Sequence, residues 1–150
     1  MSAYKFFTEE EKTKVTDAIK SAELNTSGEI RVHVEDHCKR EVLDCAAYWF
    51  KALKMHQTAL RNGVLFYLAV NDHKFAILGD AGINAKVPEN FWMEIKERML
   101  SRFKEDRFAD GLSEGILMAG EQLKTHFPYL KDDVNELSDE ISFGKNSKND

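Results

Sequence analysis

The sequence lacks the features that membrane-spanning and nucleic-acid-binding proteins need. Its longest unbroken apolar run covers residues 64–70, far short of the roughly 20 residues of a membrane-spanning helix. Its first residues, MSAYKFFTEEE, contain no basic patch followed by an apolar stretch, so we expect no signal peptide. The net charge is −5 and the basic residues form no concentrated run, which argues against nucleic acid as a main partner.

Cysteine is also scarce. Cys38 and Cys45 are seven residues apart and form no Cys-x-x-Cys motif. Together with the absence of an export signal, this predicts two free thiols in a reducing compartment and hence a cytoplasmic protein. Cys45 falls in an apolar helical pattern and is expected to pack. Cys38 lies among charged residues, where it can be exposed, and a reactive-thiol role for it is the minority alternative because no base is tied to it.

The apolar content is sufficient for one folded domain. Leu, Ile, Val and Phe number 38 of the 150 residues, above the ~20% below which chains usually stay disordered. Proline and glycine mark no linker, and no repeat is present. We therefore expect a domain over residues 1–128, followed by a polar, acidic and mobile tail over residues 129–150. We also expect a monomer.

Helix signals occur at four places. Thr8, followed three residues later by Glu11, forms a capping box that predicts a helix over residues 9–21. The other predicted helices are a long one over residues 41–60, one that begins at Pro88, and one that is capped by Asp110 and ended by Pro128.

Three strands are predicted between these helices. Residues 29–35 alternate, with Ile30, Val32 and Val34 facing one way and Arg31 and His33 the other, which is typical of a half-buried strand. Residues 64–70 are apolar on both faces and predict a central strand. Residues 75–78 then return antiparallel after a tight turn at residues 71–72.

The order of these elements predicts an α/β fold. The helix between strands 1 and 2 makes a right-handed crossover, so these strands should be parallel. We expect a three-layer sandwich with helices on both faces of a mixed sheet. In that sheet a central parallel pair is joined by an antiparallel hairpin strand, and strand 2 is flanked by strands 1 and 3.

This topology brings three glycine-containing loops to one edge of the sheet. They are Ser27-Gly28-Glu29, Arg61-Asn62-Gly63 and Gly79-Asp80-Ala81-Gly82. Carboxylates are suited to Ca²⁺ or Mg²⁺, a guanidinium to phosphate, and glycine lets backbone N–H groups approach an anion. Ordinary turns and solvated acids are the alternative explanation for each loop taken singly.

The opposite edge of the predicted sheet is a competing metal site. Glu35-Asp36-His37 follows strand 1 and Asn71-Asp72-His73 joins strands 2 and 3. Acid and histidine side chains there could bind a metal at the carboxyl ends of the parallel strands. We favour a structural explanation because Asn-Asp is common turn chemistry.

Six motifs follow one another along the sequence: SGEIRVHV, RNGVLFYLAVNDHKFAI, LGDAGINAKVP, FWMEI, DGLSEGI and HFP. Through them residues 7–128 resemble the TPM-domain family, sometimes called TPM phosphatases. The resemblance implies a compact α/β sandwich with a functional edge at these loops. Some members hydrolyse phosphate esters or nucleotides, and some bind a divalent cation through acidic residues. Glu29, Asn62 and Asp80 match by position, and Asp110 is a weaker match.

The sequence departs from the family pattern at two points. Arg61 stands where many members have an acid before Asn-Gly-Val. Asp80-Ala81 separate Gly79 from Gly82, where many members have Gly-x-Gly. Both changes alter the charge or the backbone freedom of the expected site.

These observations predict a soluble domain that binds a divalent cation, calcium or magnesium, at the loop edge. Such a domain would bind, and could hydrolyse, a small phosphorylated molecule. The alternative is a non-enzymatic calcium-dependent or protein-interaction module. The expected roles are metal ligands for Glu29, Asp80 and Asp110, catalysis for Asp80 and Glu29, and substrate binding for Arg61, Asn62, Gly79 and Gly82.

Overall fold

A computed structural model describes residues 2–88, 90–129 and 137–144 of the protein. It confirms an α/β sandwich with a mixed sheet, whose strand order is β3-β2-β1-β4. The strands are β1 (Glu29–Glu35), β2 (Gly63–Ala69), β3 (Lys74–Gly79) and β4 (Ser142–Phe143). The helices are α1 (Ala3–Phe6), α2 (Glu9–Glu23), α3 (Val42–Ala52), α4 (Ala81–Asn84), α5 (Phe91–Phe103) and α6 (Phe108–His126), with short 3₁₀ helices at Met55–Gln57 and Val70–Asp72.

The predicted pairing of the first three strands is confirmed. β1 runs parallel to β2, with Glu29 opposite Gly63. β3 runs antiparallel to β2, with Gly79 opposite Val64. Every residue of β2 is buried, because helices cover both faces of the sheet, as the continuous apolar run predicts.

The two faces of the sheet carry different layers. Helices α2, α5 and α6 pack on the face that Val32, Val64 and Phe66 line, and these three side chains are fully buried. Helix α3 and Met55 cover the other face, against Leu65 and Tyr67. The α6 helix packs along both α2 and α5. This packing fixes the positions of the loops at both ends of the sheet.

The predicted helix bounds are partly wrong. The capping box is present, since the Thr8 hydroxyl accepts the Glu11 N–H, but α2 continues to Glu23. The helix expected over residues 41–60 ends at Ala52, because Lys54 adopts a left-handed backbone with φ 60°. The residues at 71–72 form a 3₁₀ turn rather than a two-residue hairpin. Asp110 does not cap α6, which begins two residues earlier at Phe108.

A fourth strand corrects the expected sheet. β4 pairs parallel with β1, so that Ser142 lies opposite His33 and β1 is not an edge strand. β4 belongs to the segment predicted as a mobile tail, and its residues were not predicted to be structured. Much of that segment lies outside the described residues, so the domain boundary at residue 128 stays a prediction.

His33 shows why β1 is not half-buried. Its side chain is fully buried, stacks on Trp49 with ring centroids 3.9 Å apart, and hydrogen-bonds the Ser142 hydroxyl at 2.9 Å. Burial lowers the pKa of His33 because it disfavours the imidazolium. Alternation alone places His33 away from the main core, but α3 and β4 cover that face too.

The expectation of two free thiols is wrong. Cys38 and Cys45 form a disulfide with their Cα atoms 6.2 Å apart. Cys38 is only 3% exposed, so the charged residues around it in the sequence do not place it in solvent. The first turn of α3 brings Cys45 back to the loop that follows β1. The expectation of a reducing compartment therefore loses its support from cysteine, and cytoplasmic location stays a prediction.

Candidate functional site

Backbone hydrogen bonds join the three predicted loops at one edge of the sheet. The Glu29 N–H donates to the Asn62 carbonyl at 3.3 Å, and the Asp80 N–H donates to the Gly63 carbonyl at 3.0 Å. The predicted convergence is therefore confirmed at the level of the backbone. It follows from β2 lying between a parallel and an antiparallel partner. We call residues 27–29, 61–63 and 79–82 the loop edge.

An ion pair between Asp80 and Arg61 is the main polar feature of the loop edge. The Arg61 Nε and Nη2 atoms each lie 2.7 Å from an Asp80 carboxylate oxygen. Asp80 is buried at 6% exposure, whereas the Arg61 side chain is 51% exposed. This bidentate geometry fixes the guanidinium while leaving half of it at the surface.

Asp80 is held as a carboxylate by its surroundings. Its Oδ1 atom also accepts the Ala81 N–H at 2.8 Å and so caps the short helix α4. Burial opposes ionisation, but the hydrogen bonds from Arg61 and from the Ala81 N–H outweigh it, and the pKa of Asp80 lies below its ordinary value. The carboxyl is therefore negative at neutral pH.

The glycines of the loop edge allow close packing. A Cβ atom on Gly82 would lie 2.3 Å from the Leu60 carbonyl oxygen, and the Gly82 N–H donates to the Arg61 carbonyl at 2.9 Å. A Cβ on Gly79 would lie 2.4 Å from the Trp92 ring. These glycines shape the backbone around Arg61, which itself adopts φ 51°.

Asn62 joins two of the loops from inside. It is 1% exposed, its Nδ2 donates to the Ser27 carbonyl at 3.1 Å, and its backbone N–H donates to the Thr58 hydroxyl at 3.3 Å. These bonds explain a buried amide at this position, because buried polar groups are costly unless they are paired.

Glu29 faces a different partner from Asp80. Its Oε1 atom accepts the Leu137 N–H at 2.6 Å, and the residue is 3% exposed. The strand β2 lies between the two acids. At its first residue, Gly63, the side chains of Leu137 and Met55 lie 3.7 Å and 3.5 Å from the position that a Cβ atom would take. The backbones converge, but the two carboxylates are directed to different neighbours.

Asp110 lies away from the loop edge. It pairs with Lys14 and with Arg107 at 3.0 Å in the first turn of α6. The last turn of that helix, at Leu123, is the one that packs on Gly28, which puts Asp110 about 20 Å away at the helical rise of ~1.5 Å per residue. Asp110 therefore does not share a cation with Glu29 or Asp80. Among the described residues, no three His, Cys, Asp or Glu side chains cluster closely enough to hold a metal ion.

His56 is a neighbour of Asp80 that sequence reasoning missed. Its charge lowers the pKa of Asp80, although less than Arg61 does. Its Nδ1 atom is buried and has no hydrogen-bond partner among the described residues. The sequence placed residue 56 inside a long helix. Residue 56 reaches the loop edge because α3 ends early and a 3₁₀ turn follows it. No local sequence signal indicates that the helix ends there.

The opposite edge of the sheet has the structural character that the sequence favours. Asp72 accepts the Cys38 N–H at 2.6 Å and bonds the His37 Nδ1 atom at 2.9 Å. Asp36 accepts the Ala3 N–H at 2.5 Å. These acids therefore connect α1, the disulfide loop and the β2–β3 turn.

Comparisons with known proteins agree with the fold. The family model for the TPM domain matches residues 2–122. The BA42 protein from the psychrophilic bacterium Bizionia argentinensis is 47% identical, with a TM-score of 0.88 over 93% of this chain and 97% of that one. None of the described helices is long and apolar enough to cross a membrane.

Two more distant solved structures share the fold alone. The N-terminal domain of the cg2496 protein from Corynebacterium glutamicum is 12% identical, with a TM-score of 0.61 over 79% of this chain and 74% of that one. The N-terminal domain of a P. gingivalis protein is 16% identical, with a TM-score of 0.66 over 84% of each chain. No curated protein matches the chain.

Proposed function

The chain belongs to the TPM-domain family, and on that premise we propose that its loop edge binds a small phosphorylated molecule together with a divalent cation, Ca²⁺ or Mg²⁺. The observation that carries this proposal is the bidentate pair in which buried Asp80 fixes half-exposed Arg61. Arg61 is thereby held half exposed at the edge of the sheet, with the buried Asp80 carboxylate directly beside it.

Arg61 is the group that would bind the phosphoryl oxygens. A guanidinium has five N–H donors, and Asp80 uses the Nε–H and one Nη2–H. The remaining donors belong to a side chain that is half exposed and cannot lose its charge. Asp80 acts as a positioning residue for this contact. Asn62, Gly79 and Gly82 support it through the loop backbone.

Asp80 is the group that would bind the cation. Mg²⁺ usually keeps several waters and binds through one or two carboxylates and the phosphates of its ligand, rather than through a complete protein cage. A single buried carboxylate beside an anion-binding arginine fits that mode. A cation that arrives without a phosphoryl group has to compete with Arg61, so we expect each ligand to strengthen the binding of the other.

A metal-assisted phosphohydrolase is the second candidate, and His56 is the observation that favours it. A half-buried imidazole near Asp80, whose buried Nδ1 atom has no hydrogen-bond partner among the described residues, is suited to take a proton from an attacking water. Glu29, expected to be catalytic from the sequence, is directed towards Leu137 instead. Ligand binding without hydrolysis is the first candidate, because Asp80 and Glu29, the residues expected to be catalytic, already accept hydrogen bonds within the protein.

Amide chemical shifts recorded during addition of ADP, with and without Mg²⁺ or Ca²⁺, test the proposal. We expect shifts at residues 61–63 and 79–82, and tighter ADP binding when the cation is present. Arg61→Gln should weaken ADP binding about tenfold or more. Asp80→Asn keeps an oxygen for the helix cap and should abolish the effect of the cation.

Arg107→Gln is the matched control, because Arg107 also pairs with an aspartate but lies at the start of α6. It should bind ADP as the unaltered protein does. Unchanged shifts at the loop edge with millimolar ADP and Mg²⁺ contradict the proposal. Phosphate release that is lost in both His56→Gln and Asp80→Asn would favour the hydrolase over the binding module.

A further inference from the structure

An apolar cleft lies at the opposite end of the sheet from the loop edge. It has a volume of about 230 Å³ and is formed by the end of β2, the start of β3, helix α1 and the turn between α5 and α6. Its apolar lining includes Phe6, Phe75, Leu100, Phe103 and Phe108. Crevices at the carboxyl ends of parallel strands are favoured ligand sites in α/β sheets.

Four aromatic rings form a continuous wall of the cleft. The ring centroids of Phe6 and Phe108 are 5.2 Å apart, those of Phe108 and Phe103 are 5.3 Å apart, and those of Phe103 and Phe75 are 5.1 Å apart. All four side chains are only partly buried against the core, and the neighbouring Leu100 is 44% exposed. The folded chain thus leaves a connected apolar surface facing solvent, which is a feature of binding sites.

The rim of the cleft carries more positive than negative charge. Lys74 and Lys104 line it together with Asp106 and His73, and all four side chains are exposed. The two lysines and the aspartate together carry a net charge of +1. His73 and Asp106 both adopt left-handed backbone conformations, with φ 53° and 59°, so each lies at a sharp turn at the mouth of the cleft.

We propose that this cleft binds a medium-chain carboxylate, with its hydrocarbon chain against the phenylalanine wall and its head group between Lys74 and Lys104. At the packing density of proteins, 230 Å³ holds roughly eight to ten non-hydrogen atoms. Octanoate fits that size. The apolar wall supplies the driving force for burial, and the two lysines select a negative head group over a neutral or positive one.

Titration with octanoate, followed by amide chemical shifts, tests this site. We expect half-saturation below about 1 mM, with shifts at residues 68–75 and 100–108 and none at the loop edge. The neutral 1-octanol and the cationic octylamine are controls for the head group, and we expect both to bind at least threefold more weakly. Equal binding of all three would overturn the assignment of a carboxylate. The absence of shifts at the cleft would overturn the site itself.

Charge variants of opposite sign sharpen the test. Lys74→Gln combined with Lys104→Gln should weaken octanoate binding about tenfold. Lys96→Gln combined with Lys124→Gln, at exposed helical positions outside the cleft, should leave it unchanged. Asp106→Asn should tighten binding about threefold, because it removes the acid at the rim and asparagine tolerates a left-handed backbone. Equal effects of the two lysine pairs, or weaker binding by the Asp106 variant, would contradict a role for the rim charges.

Two leucines of similar exposure, one in the cleft and one outside it, test the role of the apolar wall. Leu100 in the cleft is 44% exposed and Leu117 on α6 is 43% exposed, so both can be shortened without creating a cavity in the core. Leu100→Ala should weaken octanoate binding about threefold to tenfold, and Leu117→Ala should leave it unchanged. Equal binding by both variants would overturn the proposed placement of the hydrocarbon chain.

Discussion

The two ends of the sheet differ in what their side chains leave for a ligand. At the loop edge, Asp80 pairs with Arg61 and Asn62 pairs with Ser27, so the polar groups mostly hold one another. At the opposite end, Asp36 and Asp72 are equally occupied, but a wall of half-buried phenylalanines faces solvent. The polar end is therefore a rigid frame with one half-exposed charge, and the apolar end offers unfilled contact area.

The close packing of the loop edge predicts its largest mutational effect. Gly82→Ala puts a Cβ atom 2.3 Å from the Leu60 carbonyl oxygen, so the backbone has to shift, and we expect a loss of about 3–5 kcal/mol in the free energy of unfolding. Urea denaturation measures it. Gly63→Ala is the control, since its Cβ would meet nothing closer than 3.4 Å. A similar loss in both variants would show that the close approach of the Leu60 carbonyl is not the reason that position 82 requires glycine.

The disulfide predicts the next largest effect, at the cleft end. Replacing Cys38 and Cys45 together by Ala opens a short loop, which costs about 2–3 kcal/mol in the chain-entropy model. Urea denaturation of the double variant, beside the unaltered protein with and without dithiothreitol, checks this. Dithiothreitol should lower the stability of the unaltered protein and leave that of the double variant unchanged. A double variant as stable as the oxidised protein would show that the covalent link contributes little there.

The protonated carboxyl of Glu23 predicts a pH dependence of the free energy of unfolding. Burial, then a hydrogen bond to Asp139, raises the pKa of Glu23 to about 9 from 4.5. The folded protein keeps that proton where the unfolded chain loses it, so this contribution to stability is full below pH 4.5 and falls as the pH rises to about 9.

Glu23→Gln mimics the neutral form and should remove most of that pH dependence. We expect the variant to be more stable than the unaltered protein by about 1–3 kcal/mol at pH 8 and equally stable near pH 4. Unfolding curves at pH 4, 6 and 8 test this. A difference that is constant across the three pH values would mean that Glu23 is ionised in the fold.

The Arg61–Asp80 pair predicts the smallest effect on stability. Arg61 is half exposed, so solvent screens the pair, and Arg61→Gln should lower the free energy of unfolding less than the changes described above. Arg107→Gln, which breaks a more exposed pair on α6, should cost less. Thermal unfolding at pH 7 compares the two. A large loss for Arg61→Gln would make Arg61 a structural residue rather than a ligand-binding one.

The sequence predicted the parts of the fold that depend on local periodicity. β1, β2 and β3 follow from alternation and from one continuous apolar run, and their pairing places the three loops together. It could not predict β4, because two residues in a polar segment have no period and become a strand only beside β1. For the same reason it missed that Glu29 is directed to Leu137, a residue more than a hundred positions later in the chain.

The chemistry of the sites was harder to predict than their place. Spacing alone does not distinguish two free thiols from a disulfide, and the helical pattern around Cys45 hid the turn that brings it to Cys38. Helical spacing also could not tell that Phe103 and Phe108 are only partly covered, because that depends on how far α1 and β3 extend over them.

The short β4 strand has a consequence for shortened versions of the protein. The Gly144 N–H donates to the Val34 carbonyl at 2.9 Å, so the C-terminal segment shields part of the β1 backbone. Ending the chain at residue 128 would leave that backbone open for pairing with another molecule and uncover the His33 ring. Such a fragment is expected to self-associate through its exposed strand, whereas one that extends past Gly144 is not.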